Sequence, residues 1–284
     1  MTDPNASNDK EMPFVQHLLE LRDRLLKMIL AIIVVMLVLM PFAGELFSLF
    51  AEPLGELLFE GTGNKMIVTH PVGSFFTPFK LAVVLSIFAV MPYLLYHLWA
   101  FIAPGLYQHE KSMVFPLLIS SSILFYLGIA FAHYVVLPLV FGFMIYMTPV
   151  GVEMMTDIGL YLDFVLKLFF AFGLAFQVPI VTVVLIWMNI VTPESLAKKR
   201  PYIIVAAFVI GMLLTPPDAI SQTLLAIPIW LLFEIGLFFG RIVVGRRAES
   251  TEDKSNYPAV PSDINAEMAR DAAGKDNTKG LEKK

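Results

Sequence analysis

The sequence predicts an all-α polytopic membrane protein with six transmembrane helices and both termini on the cytoplasmic side. Three observations carry this reading. The 284-residue chain is 57% hydrophobic and 15% charged, with a mean hydropathy of +0.74, a balance that belongs to a membrane bundle rather than a water-soluble domain. Its apolar residues gather into long runs without Asp, Glu, Lys or Arg, and the longest, 112–152, holds 41 residues, where one crossing needs about 20. Its basic residues alternate along the chain. The first 27 residues hold four Lys/Arg, the loop at 189–201 holds Lys198, Lys199 and Arg200, and the chain from Arg241 holds nine. The stretch 45–73 holds only Lys65, while 140–158 and 215–218 hold none. Under the positive-inside rule this alternation requires an even number of crossings.

The first element is FVQHLLELRDRLLK at 14–27. At about 100° per residue, Phe14, Leu18, Leu21 and Leu25 fall on one line, and Val15, Leu19 and Leu26 widen it to an apolar face. Gln16, His17, Glu20, Asp23, Arg24 and Lys27 occupy the opposite face. Glu20 with Arg24, and Asp23 with Lys27, stand at i,i+4 with the acid first, the favourable order on a helix. Arg22 breaks the pattern by lying inside the apolar arc, where a snorkelling interfacial anchor is the simplest role. The segment runs into 28–44, which holds no charge, so an amphipathic helix over about 13–27 feeds the first span. No small-residue cleavage site follows, against a signal peptide.

The second span is expected at 75–103, with Lys80 near its start and Pro92 inside, after a loop in which 46–59 could form a short surface helix. Pro104 and Gly105 stop it. The uncharged run 112–152 could hold one long helix or two short ones. A single span at about 114–141, followed by an outer loop to Gly159, preserves the charge alternation; two spans would put Lys198–Arg200 on the wrong side. Span four is expected at 160–188, opening with Asp163 and Lys167 at i,i+4 and containing Gln177 and Pro179. Span five, 201–214, is short for a bilayer, Thr215–Asp218 turns it, and span six follows at 219–240. The domain organisation is thus a membrane domain over 1–247 and a polar, disordered cytoplasmic tail over 248–284.

Enzyme motifs are absent. There is no HExxH, GxSxG or phosphate-binding glycine loop, the five His show no metal-ligand spacing, and there is no Cys. Ser120–Ser122 and His133 share span three, but hydroxyls in membrane helices more often bond their own backbone or a neighbouring helix. No cofactor, metal or nucleic acid is implied. The ionisable residues at membrane depth are candidates by default. Lys80, Asp163 and Lys167 read as an outer-side group with an internal Asp163–Lys167 pair, and Glu234 as an interfacial residue near Arg241. Gln177 either satisfies a carbonyl freed by Pro179 or forms a functional polar site.

HLLELRDRL at 17–25 resembles the N-terminal signature of the TatC family, the receptor subunit of the twin-arginine protein translocase. GSFFTPFK (73–80), FIAPGLYQHE (101–110), FAFGLAFQVP (170–179), KKRPY (198–202), GMLLTPPD (211–218) and LLFEIG (231–236) resemble further segments of that family, in family order. The resemblance implies a glove-shaped six-helix bundle in the bacterial cytoplasmic (inner) membrane that binds twin-arginine signal peptides of folded precursors. It also implies partnership with the single-span subunits TatA and TatB, self-association in a larger complex, and transport driven by the proton-motive force. Carried over residue by residue, it assigns signal-peptide contacts to Glu20 and Glu110, with Arg22 and Phe101 at further sensitive positions. Pro53 and Asp218 match structural positions, and Met212 and Gln222 match the region where TatA or TatB packs. Many relatives carry a glutamate inside span four where this chain has Gln177, so a polar role survives there without a titrating one. The competing class is an ion-coupled transporter using Asp163, Lys167, Lys80 and Glu234. Such a protein usually shows internal repeats and midplane charge pairs, and here the repeats are not evident and the midplane offers only Gln177.

Overall fold

The structure, a computed structural model, describes residues 8–48, 50, 67–69, 73–102, 114–149, 157–214 and 219–255. Among the described residues every regular element is helical, with one isolated parallel bridge between Ile67 and Asp157. Helix α1 (Asn8–Leu39) runs through a 3₁₀ turn at Met40–Phe42, and 43–48 continue it. It starts ahead of the expected residue 13. Next come α2 (Gly73–Ala89), α3 (Met91–Ile102), α4 (Val114–Phe131), a π-helical turn (Ala132–Val136) and α5 (Leu137–Met147). The chain continues with α6 (Ile158–Ala175), α7 (Val178–Trp187), a short α8 (Pro193–Lys198), α9 (Arg200–Leu214) and α10 (Ala219–Ser255).

Among the described residues four stretches are long and apolar enough to cross a membrane: Gln16–Ser48, Phe115–Met147, Ile158–Trp187 and Gln222–Gly245. Helices α2 and α3 form a fifth, broken one, bent by 50°. Helix α9 makes the sixth apolar segment; its 15 residues rise only about 22 Å, against about 30 Å of hydrocarbon. The six expected spans are therefore present as helices.

Prolines explain the breaks. Pro92 lacks the N–H that would bond the Phe88 carbonyl. The chain kinks at Val90, and the Tyr126 hydroxyl of α4 donates to the freed Phe88 oxygen at 2.9 Å. Pro179 divides span four at Phe176–Gln177, the turn between α6 and α7. Run 112–152 holds one helix, but it reaches Met147, past the expected 141. Its π turn abuts Pro138, whose ring does not fit a regular turn. Helix α10 likewise runs past Arg247 to Ser255; the remainder of the expected tail lies outside the described residues.

The core lies around α6, with Phe125, Val165, Leu168, Phe172 and Leu225 fully buried. Lipid gives no hydrophobic drive for helices to associate, so close packing must do it. At Gly128 the third and fourth spans meet backbone to backbone, since a Cβ there would stand 2.6 Å from the Phe172 carbonyl oxygen. The compact bundle extends to Gly240, and the chain from Arg241 forms a second unit whose described part is helical.

Candidate functional site

The site is built on the polar face of α1 and the end of α3. Glu20 accepts from Arg24 Nε at 2.9 Å and Nη2 at 2.6 Å, both on Oε1, the i,i+4 pair the sequence placed on one face. Among the described residues no donor lies within hydrogen-bond range of Oε2; His17 Nδ1 stands 3.9 Å from it. The His17 ring stacks on Phe101 at 4.2 Å between centroids and 10° between planes. That contact ties Phe101, at the end of α3, to the polar face of α1. Between the helices opens a groove of about 510 Å³ lined by Gln16, Leu19, Glu20, Asp23, Arg24 and Lys27 from α1 and Tyr96 and His97 from α3. The Glu20 side chain is 37% exposed, so its free oxygen is open to a donor entering from water.

Arg22 stands apart. It is exposed and donates to Asp23 Oδ1 from Nε at 3.0 Å and Nη2 at 2.8 Å. Asp23 is thereby paired with its neighbour rather than with Lys27, because the guanidinium reaches sideways off the apolar arc to the adjacent carboxylate. Glu110, Pro53 and Asp218 lie outside the described residues.

Gln177 is buried in the core, where its amide donates to the Ser121 carbonyl at 2.9 Å. Ser121 Oγ in turn accepts from Trp99 Nε1 at 2.8 Å. The freed carbonyl beside Pro179 is thus not the amide's partner; the turn at 176–177 aims the side chain across to α4. Met212 is half exposed on α9, whereas Gln222 of α10 is turned inward, donating to the Phe208 carbonyl at 2.8 Å. The two share one helix pair but not one surface.

Three of the four residues of the transporter reading fall into two separate ion pairs, and Lys167 falls into neither. Lys80 Nζ reaches both Asp163 oxygens, at 2.7 and 2.9 Å, in place of the expected Asp163–Lys167 pair. Two ammoniums compete for one carboxylate, and the geometry gives it to the neighbouring helix. Glu234 takes a fork from Arg200, Nε at 2.6 Å and Nη2 at 2.7 Å. The hydroxyls of Ser120 and Ser122 bond the carbonyls of Pro116 and Leu118 on their own helix.

At the opposite end of span four, Asp157 caps α6 by accepting from Gly159 N at 2.9 Å and Leu160 N at 3.0 Å. It also takes the Thr69 N–H at 2.8 Å and the Thr69 hydroxyl at 2.6 Å. The Thr69 hydroxyl, the Thr69 amide and the capping amides hold its carboxyl well below the usual carboxylate range. An Asp directly before an apolar helical run is a capping signal in sequence, so this junction was open to detection. The His17–Phe101 stack has no sequence signal.

Comparison with known proteins gives a consistent result. The family model described as Sec-independent protein translocase protein (TatC) matches residues 16–228. The chain is 53% identical to the Sec-independent protein translocase protein TatC of Azotobacter chroococcum mcd 1 over 251 residues, covering 88% of this chain and 98% of that protein. It is also 53% identical to the protein of the same name in Escherichia coli strain K12, covering 84% and 92% respectively. A crystal structure of the twin-arginine translocase receptor TatC superposes with a TM-score of 0.73 at 39% identity, covering 80% of this chain and 99% of that one.

Proposed function

Because the chain belongs to the TatC family of Sec-independent protein translocase proteins, we propose that its groove between α1 and α3 receives the arginine pair of a twin-arginine signal peptide. The protein is a multi-pass membrane component of the twin-arginine translocase, the receptor subunit in the transport of folded proteins. Glu20 is the first contact. One observation carries this assignment: Glu20 lines the groove, and Arg24 holds its Oε1 while no donor among the described residues takes Oε2. An incoming guanidinium matches that oxygen in charge and hydrogen-bond direction. Phe101, stacked on His17, fixes the end of α3 against α1, and Glu110 supplies a second carboxylate from the segment that follows. The work is binding and positioning rather than catalysis, and the proton-motive force drives transport.

The basic flanks support a cytoplasmic side for this groove, both termini and the Glu110 loop, and the family reading makes the membrane the bacterial inner membrane. TatA and TatB are the partner subunits. Met212, half exposed on the short α9, faces them, while Gln222 holds α10 against α9 from within. Copies of the chain associate in the larger complex.

The test is site-specific photocrosslinking with a twin-arginine precursor. Probes at Gln16 and Tyr96, which line the groove, should capture the signal peptide, and a probe at the exposed Tyr146, at the end of α5, should not. Equal capture at Tyr146, or none in the groove, refutes the assignment.

A further inference from the structure

We propose that the hollow between α2 and α6 is a binding site for an anionic phospholipid, with Lys167 as its headgroup contact. The hollow measures about 280 Å³, and apolar side chains make most of its wall: Val84 and Ile87 from α2, and Phe170 from α6. Three charged groups stand at it, Lys80, Asp163 and Lys167. Lys80 and Asp163 neutralise one another through bonds of 2.7 and 2.9 Å that use both carboxylate oxygens. Lys167 lies one helical turn beyond Asp163 and is exposed; no ion pair among the described residues includes it. The cluster therefore carries one uncompensated positive charge.

Position makes that charge consequential. Lys167 stands nine residues into α6, about 14 Å along the helix axis, within a span that crosses the membrane. An ammonium at such depth needs an anionic partner or must reach for the interface. Among the described residues none pairs with it, but the lipid can. A phosphate diester carries one negative charge, equal and opposite to that of the cluster, and its acyl chain fits the apolar wall below. The added amine of a zwitterionic lipid would return the site to a net positive charge, so the hollow discriminates by headgroup charge. Basic hollows between membrane helices recognise acidic headgroups by this logic.

The experiment is native mass spectrometry of the full-length protein released from mixed micelles holding equal phosphatidylglycerol and phosphatidylcholine. The wild type should retain phosphatidylglycerol preferentially. Lys167→Ala should lower that preference about fivefold, the effect of one lysine near an acidic headgroup. Lys167→Arg should keep it, and Lys198→Ala, which removes a cation outside the hollow, should leave it unchanged. Because Lys167 is exposed, its replacement does not open the core. An unchanged preference in Lys167→Ala, or an equal loss in Lys198→Ala, overturns the proposal, as does a wild type that retains both lipids alike.

Discussion

Replacing Glu20 by alanine should weaken twin-arginine peptide binding by a calculable amount. Arg24 places two donors on Oε1, so the incoming guanidinium finds one oxygen rather than a full fork. One hydrogen bond to a charged group contributes about 1.5–3 kcal/mol. The Glu20 side chain is 37% exposed, and solvent screening pulls the value to the lower end, about 1–1.5 kcal/mol. That corresponds to roughly a five- to twelvefold loss in affinity. The assay is peptide binding in detergent, crossing Glu20→Ala with peptides in which each arginine is replaced by lysine. At the arginine that Glu20 contacts, the two losses should be less than additive. Arg24→Ala sharpens the test. It releases Oε1, so Glu20 can then take a guanidinium in a fork, and discrimination of arginine over lysine should increase. If Glu20→Ala binds the native peptide as well as the wild type, the receptor site lies elsewhere. If the cycle is additive for both arginines, Glu20 is not their partner.

Reporter fusions at Gly63, Gly151 and Asp218 should read outside and fusions at Glu110, Glu194 and Ala248 inside; an outside reading at Glu194 would refute the six-span topology. Gln177→Glu should retain transport, because a protonated carboxyl can donate to the Ser121 carbonyl as the amide does. Gln177→Leu should impair transport, and full activity of the leucine variant would reduce Gln177 to packing. Ser121→Ala should lower thermal stability in detergent by about 0.6–1.7 kcal/mol, since Trp99 Nε1 loses its acceptor; in a Trp99→Phe background the same change should cost almost nothing, and equal costs in both would show that the bond is not the cause. Asp157 has a depressed folded-state pKa, so its contribution to stability is present above the unfolded value of about 3.9 and is lost as pH falls through the folded one. Proteolysis near Thr69 should therefore be flat from neutral pH to about pH 4 and rise below it, whereas Asp157→Asn should be susceptible already at neutral pH.

The sequence by itself determined the helical class, the number of spans and the face of α1 that carries Glu20. Each depends on local periodicity, run length or charge count, which the bilayer reads directly: a span must be apolar and long enough, and lysine and arginine loops stay on one side. The same locality made the Glu20–Arg24 pair predictable, since residues four apart on a helix are neighbours whatever the rest of the chain does. Tertiary structure decided how the polar groups are shared between helices. Asp163 has Lys167 at the right helical spacing, yet Lys80 from α2 takes both of its oxygens. Gln177 sits beside a proline that frees a carbonyl, yet its amide crosses to Ser121. Glu234 lies near Arg241 in sequence and bonds Arg200. In each case a buried or membrane-facing polar group takes the partner that helix packing brings nearest, because hydrocarbon offers no water to satisfy the group otherwise. Sequence spacing says which groups need partners; the distance between helices, set by contacts such as Gly128 against the Phe172 backbone, decides which partner each obtains.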